Sequence, residues 1–328
     1  MRLYKKAAVC LLTAAMAISM LTACGGGGTG GNGGGNTPST LPNPGEIILP
    51  GEGDGEGGGE GGETKPTKTP IADVNSSKLA KFNKNHAGAT EFYVEMQVVN
   101  YDKDGSAMLS TDARLAQKGY KAYMNMTMSG KNQKQRSAEQ LILKEDKLYN
   151  TYLLLRDSKV AVKTDSDSAG DGDDPIESLD SIIAYKLPSQ IWSAKVKVGP
   201  TEYDAEVFIL DSYEYTVCYT TDGNPVYKFV RDPSAKQIRT AFLYKTIQAG
   251  SGTSKGLCEM PAGTKIYSFD DEDDNYTLTD ANGNVFTLEP VTNSNGDMTG
   301  FIFRDKDGKD VSDDFKWAND FFKTMSGQ

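Results

Sequence analysis

One serine, one histidine and a scatter of carboxylates are the residues of this chain that could do covalent or acid–base chemistry. Gly252-Thr253-Ser254-Lys255-Gly256 has the spacing of a nucleophile elbow. An elbow needs a strand before the serine, a helix after it and an imidazole as base. The residues that follow, Leu257-Cys258-Glu259-Met260-Pro261, cannot start a helix of useful length. The one histidine, His86, falls near the C-terminal end of a predicted helix, as a half-buried helix residue. The run therefore reads as a glycine loop. The acidic stretch Asp165 to Asp174 lacks the terminal glutamate of a calcium loop and reads as solvated, and the charge run Asp270 to Asp274 reads as a solvated linker or turn. So few histidines and cysteines make a zinc site improbable. Carboxylate pairs abound, and nothing selects one as a glycosidase pair. The chain reads as a non-enzyme, with no catalytic residue, metal or cofactor expected.

The thiol with a definite chemistry is Cys24. Arg2, Lys5 and Lys6 make a positive start, and Ala7 to Met20 is an apolar run too short to span a bilayer. Leu21-Thr22-Ala23-Cys24 follows, with a small residue before the cysteine. This pattern resembles the lipobox of bacterial lipoproteins. The resemblance implies a diacylglycerol thioether on Cys24 and a place on the extracytoplasmic face of the cell membrane. Each buried CH₂ contributes about 0.8 kcal/mol, so two or more chains anchor stably where one does not.

Charge narrows the partners. The formal net charge is −10, and it becomes more negative once the basic leader is removed. So acidic a chain suits neither nucleic acid nor direct contact with anionic lipid. The membrane is therefore reached through the covalent anchor. Cys218 and Cys258 remain in the mature chain, either as a disulfide or as two buried free thiols.

Residues 25–70 are rich in Gly, Pro and Glu and lack apolar periodicity, which predicts a flexible linker. The chain then divides into a leader at 1–23, the lipidated cysteine and linker at 24–70, a domain at 71–268 and a C-terminal piece at 269–328.

Within the domain the spacing predicts a helix over 76–87, capped by Asn75 or Ser76 and ended by Gly88. Period-two alternation follows. Phe92, Val94, Met96 and Val98 share a face, as do Met124, Met126 and Met128. About five strands are expected before the acidic loop. Asp174-Pro175-Ile176-Glu177 then starts a helix, with Ile176, Leu179, Ile183 and Leu187 at helical spacing and Ile191 and Trp192 extending the apolar surface. Four strands follow between Tyr203 and Thr246. The C-terminal piece reads as hairpins plus a short helix carrying Phe315, Trp317, Phe321 and Phe322, docked on the domain or extending its sheet.

Helix, five strands, helical insertion and four strands, with hairpins such as Tyr219-Thr220-Thr221-Asp222-Gly223-Asn224-Pro225-Val226-Tyr227, resemble the LolA-like lipoprotein-carrier superfamily and its lipid-anchored LprG/LppX relatives. The resemblance covers 71–268. It implies an α+β fold in which an unclosed antiparallel β-barrel, a half-barrel, curls around helices, with a small C-terminal hairpin and helix extension. It also implies a cavity for the acyl chain of a lipid or lipoprotein. Met96, Met124, Met126, Met128, Ile176, Leu179, Ile183, Leu187 and Trp192 are the expected lining, since methionine adapts to variable ligand shapes. The alternatives are an envelope interaction or structural module whose core is filled by its own side chains, and a wall-glycan binder.

Overall fold

The computed structural model describes residues 41–50, 67–130, 135–168, 182, 187–210, 212–232, 237–270, 276–295 and 298–326. Cys24, Ile176, Leu179 and Ile183 lie outside them.

Three antiparallel meanders build one sheet. The first runs through β3 (Glu91–Tyr101), β4 (Ala107–Lys118), β5 (Lys121–Gly130), β6 (Arg136–Glu145), β7 (Leu148–Leu155) and β8 (Val160–Ser168). The second runs through β9 (Trp192–Val198), β10 (Thr201–Leu210), β11 (Tyr213–Tyr219), β12 (Pro225–Asp232) and β13 (Gln237–Ala249). Strand β13 pairs with β3, which joins the two. The third comprises β14 (Lys265–Asp270), β15 (Tyr276–Asp280), β16 (Val285–Thr292) and β17 (Met298–Arg304). It is attached by a parallel pairing of β14 with β8. Two short strands, β1 (Ile47–Ile48) and β2 (Thr69–Pro70), line the free edge of β9. Among the described residues no pairing joins β17 back to β9, so the sheet is not closed.

This corrects the α+β expectation. The described residues hold two α-helices, α1 (Lys78–His86) and α2 (Lys316–Ser326), and the protein is mostly β. The sheet is not wrapped around a helical layer, and the C-terminal hairpins are part of it. The physical reason is burial on both faces. Strand β12 buries Pro225, Val226, Tyr227, Lys228 and Phe229 in succession, and β3 buries Val94 and Val98 on one side and Tyr93, Val99 and Tyr101 on the other. A sheet with apolar groups on both sides cannot be satisfied by one concave interior.

It curls in opposite senses instead. Val99 and Tyr101 of β3 share a buried cluster with Val196 and Val198 of β9, five strands away. Following the paired residues from β3 to β17 puts Leu153, Val160, Leu278, Leu288 and Phe303 on the other face, in a cluster closed by Phe315 and α2.

Both free edges are covered, which removes templates for unwanted strand pairing. Ile47 and Ile48 pair with Val198 and Lys197, and Leu41 and Leu49 pack on the adjoining cluster. The Leu41 amide donates to Gln97 Oε1 at 3.1 Å, and Arg231 donates to the Pro50 carbonyl at 3.3 Å. Residues 41–50, inside the Gly-rich stretch, thus run along the sheet. At β17 a side chain takes the place of a strand. Asn319 Oδ1 accepts from the Phe301 amide at 2.8 Å, and Asn319 Nδ2 donates to the Phe301 carbonyl at 3.0 Å. Gly300 permits that approach, because a Cβ there would stand 2.8 Å from Asn319 Oδ1.

Candidate functional site

The four methionines singled out by alternation meet on one face. Met96 lies opposite Ala113, Ala113 opposite Met126 and Met126 opposite Ala138. Met124 is paired with Leu115, and Met128 with Thr111. Met126, Ala113 and Ala138 are buried, while Met96, Met124 and Met128 are half-buried. Small alanines thus alternate with long, flexible thioethers across the strands.

Each flank of this stripe is plugged. On one side Leu79 and Phe82 of α1, with Ile182, pack against Phe92, Val94, Phe208, Val217, Tyr219 and Tyr244. A buried carboxylate fixes α1 there. Glu206 accepts from the Lys78 amide at 2.6 Å, the Leu79 amide at 2.8 Å and the Tyr219 hydroxyl at 3.1 Å. Ser77 Oγ caps the Ala80 amide, one residue beyond the predicted cap. A negative charge at a helix N-terminus meets unpaired amides and the positive end of the dipole. On the other side stand α2 and the aromatic cluster around Phe315.

Polar groups border the stripe. Thr111 and Gln140 are buried on the methionine side. Arg136 is directly opposite Met128 on the same face. Its Nε is buried and has no hydrogen-bond partner among the described residues.

The reverse side of the same strands is covered. Tyr93, Ala116, Tyr123, Leu141 and Tyr152 pack there beneath Leu257, Cys258 and Met260. The Gly-Thr-Ser-Lys-Gly run fastens this cover. Ser254 is buried, its Oγ donates to Glu91 Oε1 at 2.6 Å, and its amide donates to the same atom at 3.1 Å. Those bonds hold the Glu91 carboxyl below its ordinary value. Ser254 therefore faces a carboxylate. His86 is engaged elsewhere, with Nδ1 at 2.8 Å from the Phe82 carbonyl and its ring against Phe82.

Cys218 and Cys258 are buried free thiols in separate clusters, which decides between the two cysteine alternatives. Burial pushes the Cys258 thiol up to about 12 and Cys218 up as well.

Of the other expected lining residues, Leu187 packs against the α1 cluster, which Met96 also touches. Trp192 starts β9 opposite Val207, and the register turns it to the face away from the methionines. Arg136, Gln140, Glu206 and the apolar residues of 41–50 were not anticipated. Arg136, Ala138 and Gln140 do alternate with Ser137, Glu139 and Leu141, the signal that extends the methionine face onto β6.

Among the described residues no group of three or more His, Cys, Asp or Glu could hold a metal ion, and no helix is long and apolar enough to cross a membrane.

No family model matches the chain, and no curated protein matches it. Several solved structures resemble it at low identity. A conserved protein from Thermus thermophilus is 10% identical, with a TM-score of 0.32, over 60% of this chain and 99% of its own. A DUF1329 family protein from Desulfovibrio piger is 13% identical, with a TM-score of 0.25, over 55% and 94%. A protein with a YmcC-like fold from Bacteroides fragilis, whose name describes it as exported, is 7% identical, with a TM-score of 0.18, over 48% and 95%. None of the three is named as a lipoprotein carrier. Overlaps this weak identify no function.

Proposed function

We propose that this is a lipid-anchored, extracytoplasmic binding protein that accommodates an acyl chain along Met96, Met124, Met126 and Met128. The observation that supports it is the contrast across one set of strands. Tyr93 and Leu141 are covered, while Met96, Met124 and Met128 behind them are left half-buried around the buried Met126, between two plugged flanks. Apolar surface kept partly exposed in this way favours a ligand, because covering it releases water. The anchor rests on the Leu-Thr-Ala-Cys24 sequence, and binding without catalysis is part of the proposal.

Two experiments test it. Cells fed labelled palmitate should transfer label to the protein and not to its Cys24→Ser variant. The mature chain from Gly25 should take up a fluorescent fatty acid stoichiometrically, and Met124→Asp should abolish uptake. No uptake would leave a self-filled envelope module as the better reading.

A further inference from the structure

We infer that the ligand is a single-chain amphiphile with a carboxylate head, and that Arg136 receives the head. This rests on the acyl-binding reading above.

Arg136 closes one end of the methionine face. Met128 is its direct neighbour across β5 and β6, and Ala138 and Gln140 continue the same face along β6. The guanidinium forms no salt bridge or hydrogen bond among the described residues, and its Nε is buried. An arginine cannot shed its charge at neutral pH, so a buried N–H with no acceptor is costly. The cations nearby are differently placed. Arg156 is committed to Glu139, and Arg114 lies near Glu95, both on the covered side. Among the described residues Arg136 is thus the uncommitted arginine beside the stripe.

Its planar fork matches a carboxylate in two-point geometry. From Arg136 the apolar path crosses Met128 and Met126 on β5, Ala113 and Leu115 on β4, and Met96 and Val94 on β3. Three strand spacings of about 4.8 Å give about 14 Å of apolar track. It ends against the α1 cluster, where Met96 packs beside Val94. A charged terminus followed by apolar track and a plugged end describes a carboxylate joined to an alkyl chain. The buried Thr111, opposite Met128, adds a polar group at the arginine end, and the buried Gln140, opposite Met124, borders the track.

The test compares a long-chain fatty acid with its methyl ester, using the mature chain from Gly25, which contains every described element. Wild type should bind the acid about tenfold more tightly than the ester. Raising ionic strength from about 0.05 to 0.5 M should weaken the acid alone. In Arg136→Met the preference should disappear, the acid binding no more tightly than the ester. Equal binding of acid and ester by wild type would overturn the role of Arg136 and leave the acyl reading standing. Binding of neither would remove both. A retained preference in Arg136→Met would place the head group elsewhere. A variant that fails to fold is recognised by its circular dichroism, and Arg136→Lys then decides, since it should keep a reduced preference.

Discussion

Strands β3 to β7 present two faces built from the same backbone and finished differently. One face carries Tyr93, Ala116, Tyr123, Leu141 and Tyr152, and the segment after β13 is brought down over it with Cys258 at its centre and Ser254 tied to Glu91. The other carries Met96, Met124, Met126 and Met128 between two plugs. The covered face uses rigid rings and branched chains, which pack once and stay. The half-buried face uses unbranched thioethers, which tolerate changing neighbours. Side-chain choice thus follows whether the cover is permanent.

The widest gap between the faces should appear in thiol chemistry. Cys258 is buried and its thiol is held protonated at neutral pH, so native labelling by a disulfide reagent should be slower than in urea by about 10³-fold or more. Fast native labelling would mean that the cover opens readily and that the two faces are alike. Next in size, Leu141→Ala empties a fully buried site and should cost about 2–5 kcal/mol in denaturant unfolding. Met124→Ala, on the half-buried side, should cost about 1 kcal/mol. Equal losses would erase the distinction.

Edge protection gives a smaller, local effect. Asn319→Ala should cost about 1–3 kcal/mol and raise hydrogen exchange at the Phe301 amide, leaving β3 to β7 protected. The smallest effect concerns pH. Hydrogen bonds from Lys195 and then Lys78 hold the Asp204 carboxyl at about 2, below its usual 3.8. Its contribution is present above the usual value and is lost as pH falls through about 2. Half of the Asp204 side chain is exposed, so solvent screening reduces this to a few tenths of a kcal/mol. Asp204→Asn should flatten the acid limb of a stability curve by that amount.

Much of this is legible in the amino-acid sequence. Period-two alternation put the methionines on one face, and the turns at 102–105 and 222–224 set the hairpins. The Asn282-Gly283 turn and the apolar runs beside it marked hairpins that do extend the sheet. What alternation cannot state is which strands are buried on both sides. β12 and β3 are, and that turned an expected half-barrel around helices into a mostly β sheet curling two ways. Composition also hid Leu41, Ile47 and Leu49. A few apolar residues among glycines carry no period, yet an uncovered strand edge and cluster give them somewhere to pack. Trp192 follows a helical run in the sequence, but β9 begins there and the register sends it to the opposite face. A lone arginine on a strand, such as Arg136, gives no sign in sequence that it lacks a partner.

The most direct test of an acyl chain on the methionine face is photocrosslinking. A fatty acid bearing a diazirine near its methyl end would be bound to the mature chain, irradiated and mapped by peptide mass spectrometry. Adducts should fall on Met96, Met124 and neighbouring residues of that face, and excess unlabelled fatty acid should suppress them. Adducts confined to the Tyr93 and Leu141 side, or scattered labelling that competitor does not reduce, would contradict the account.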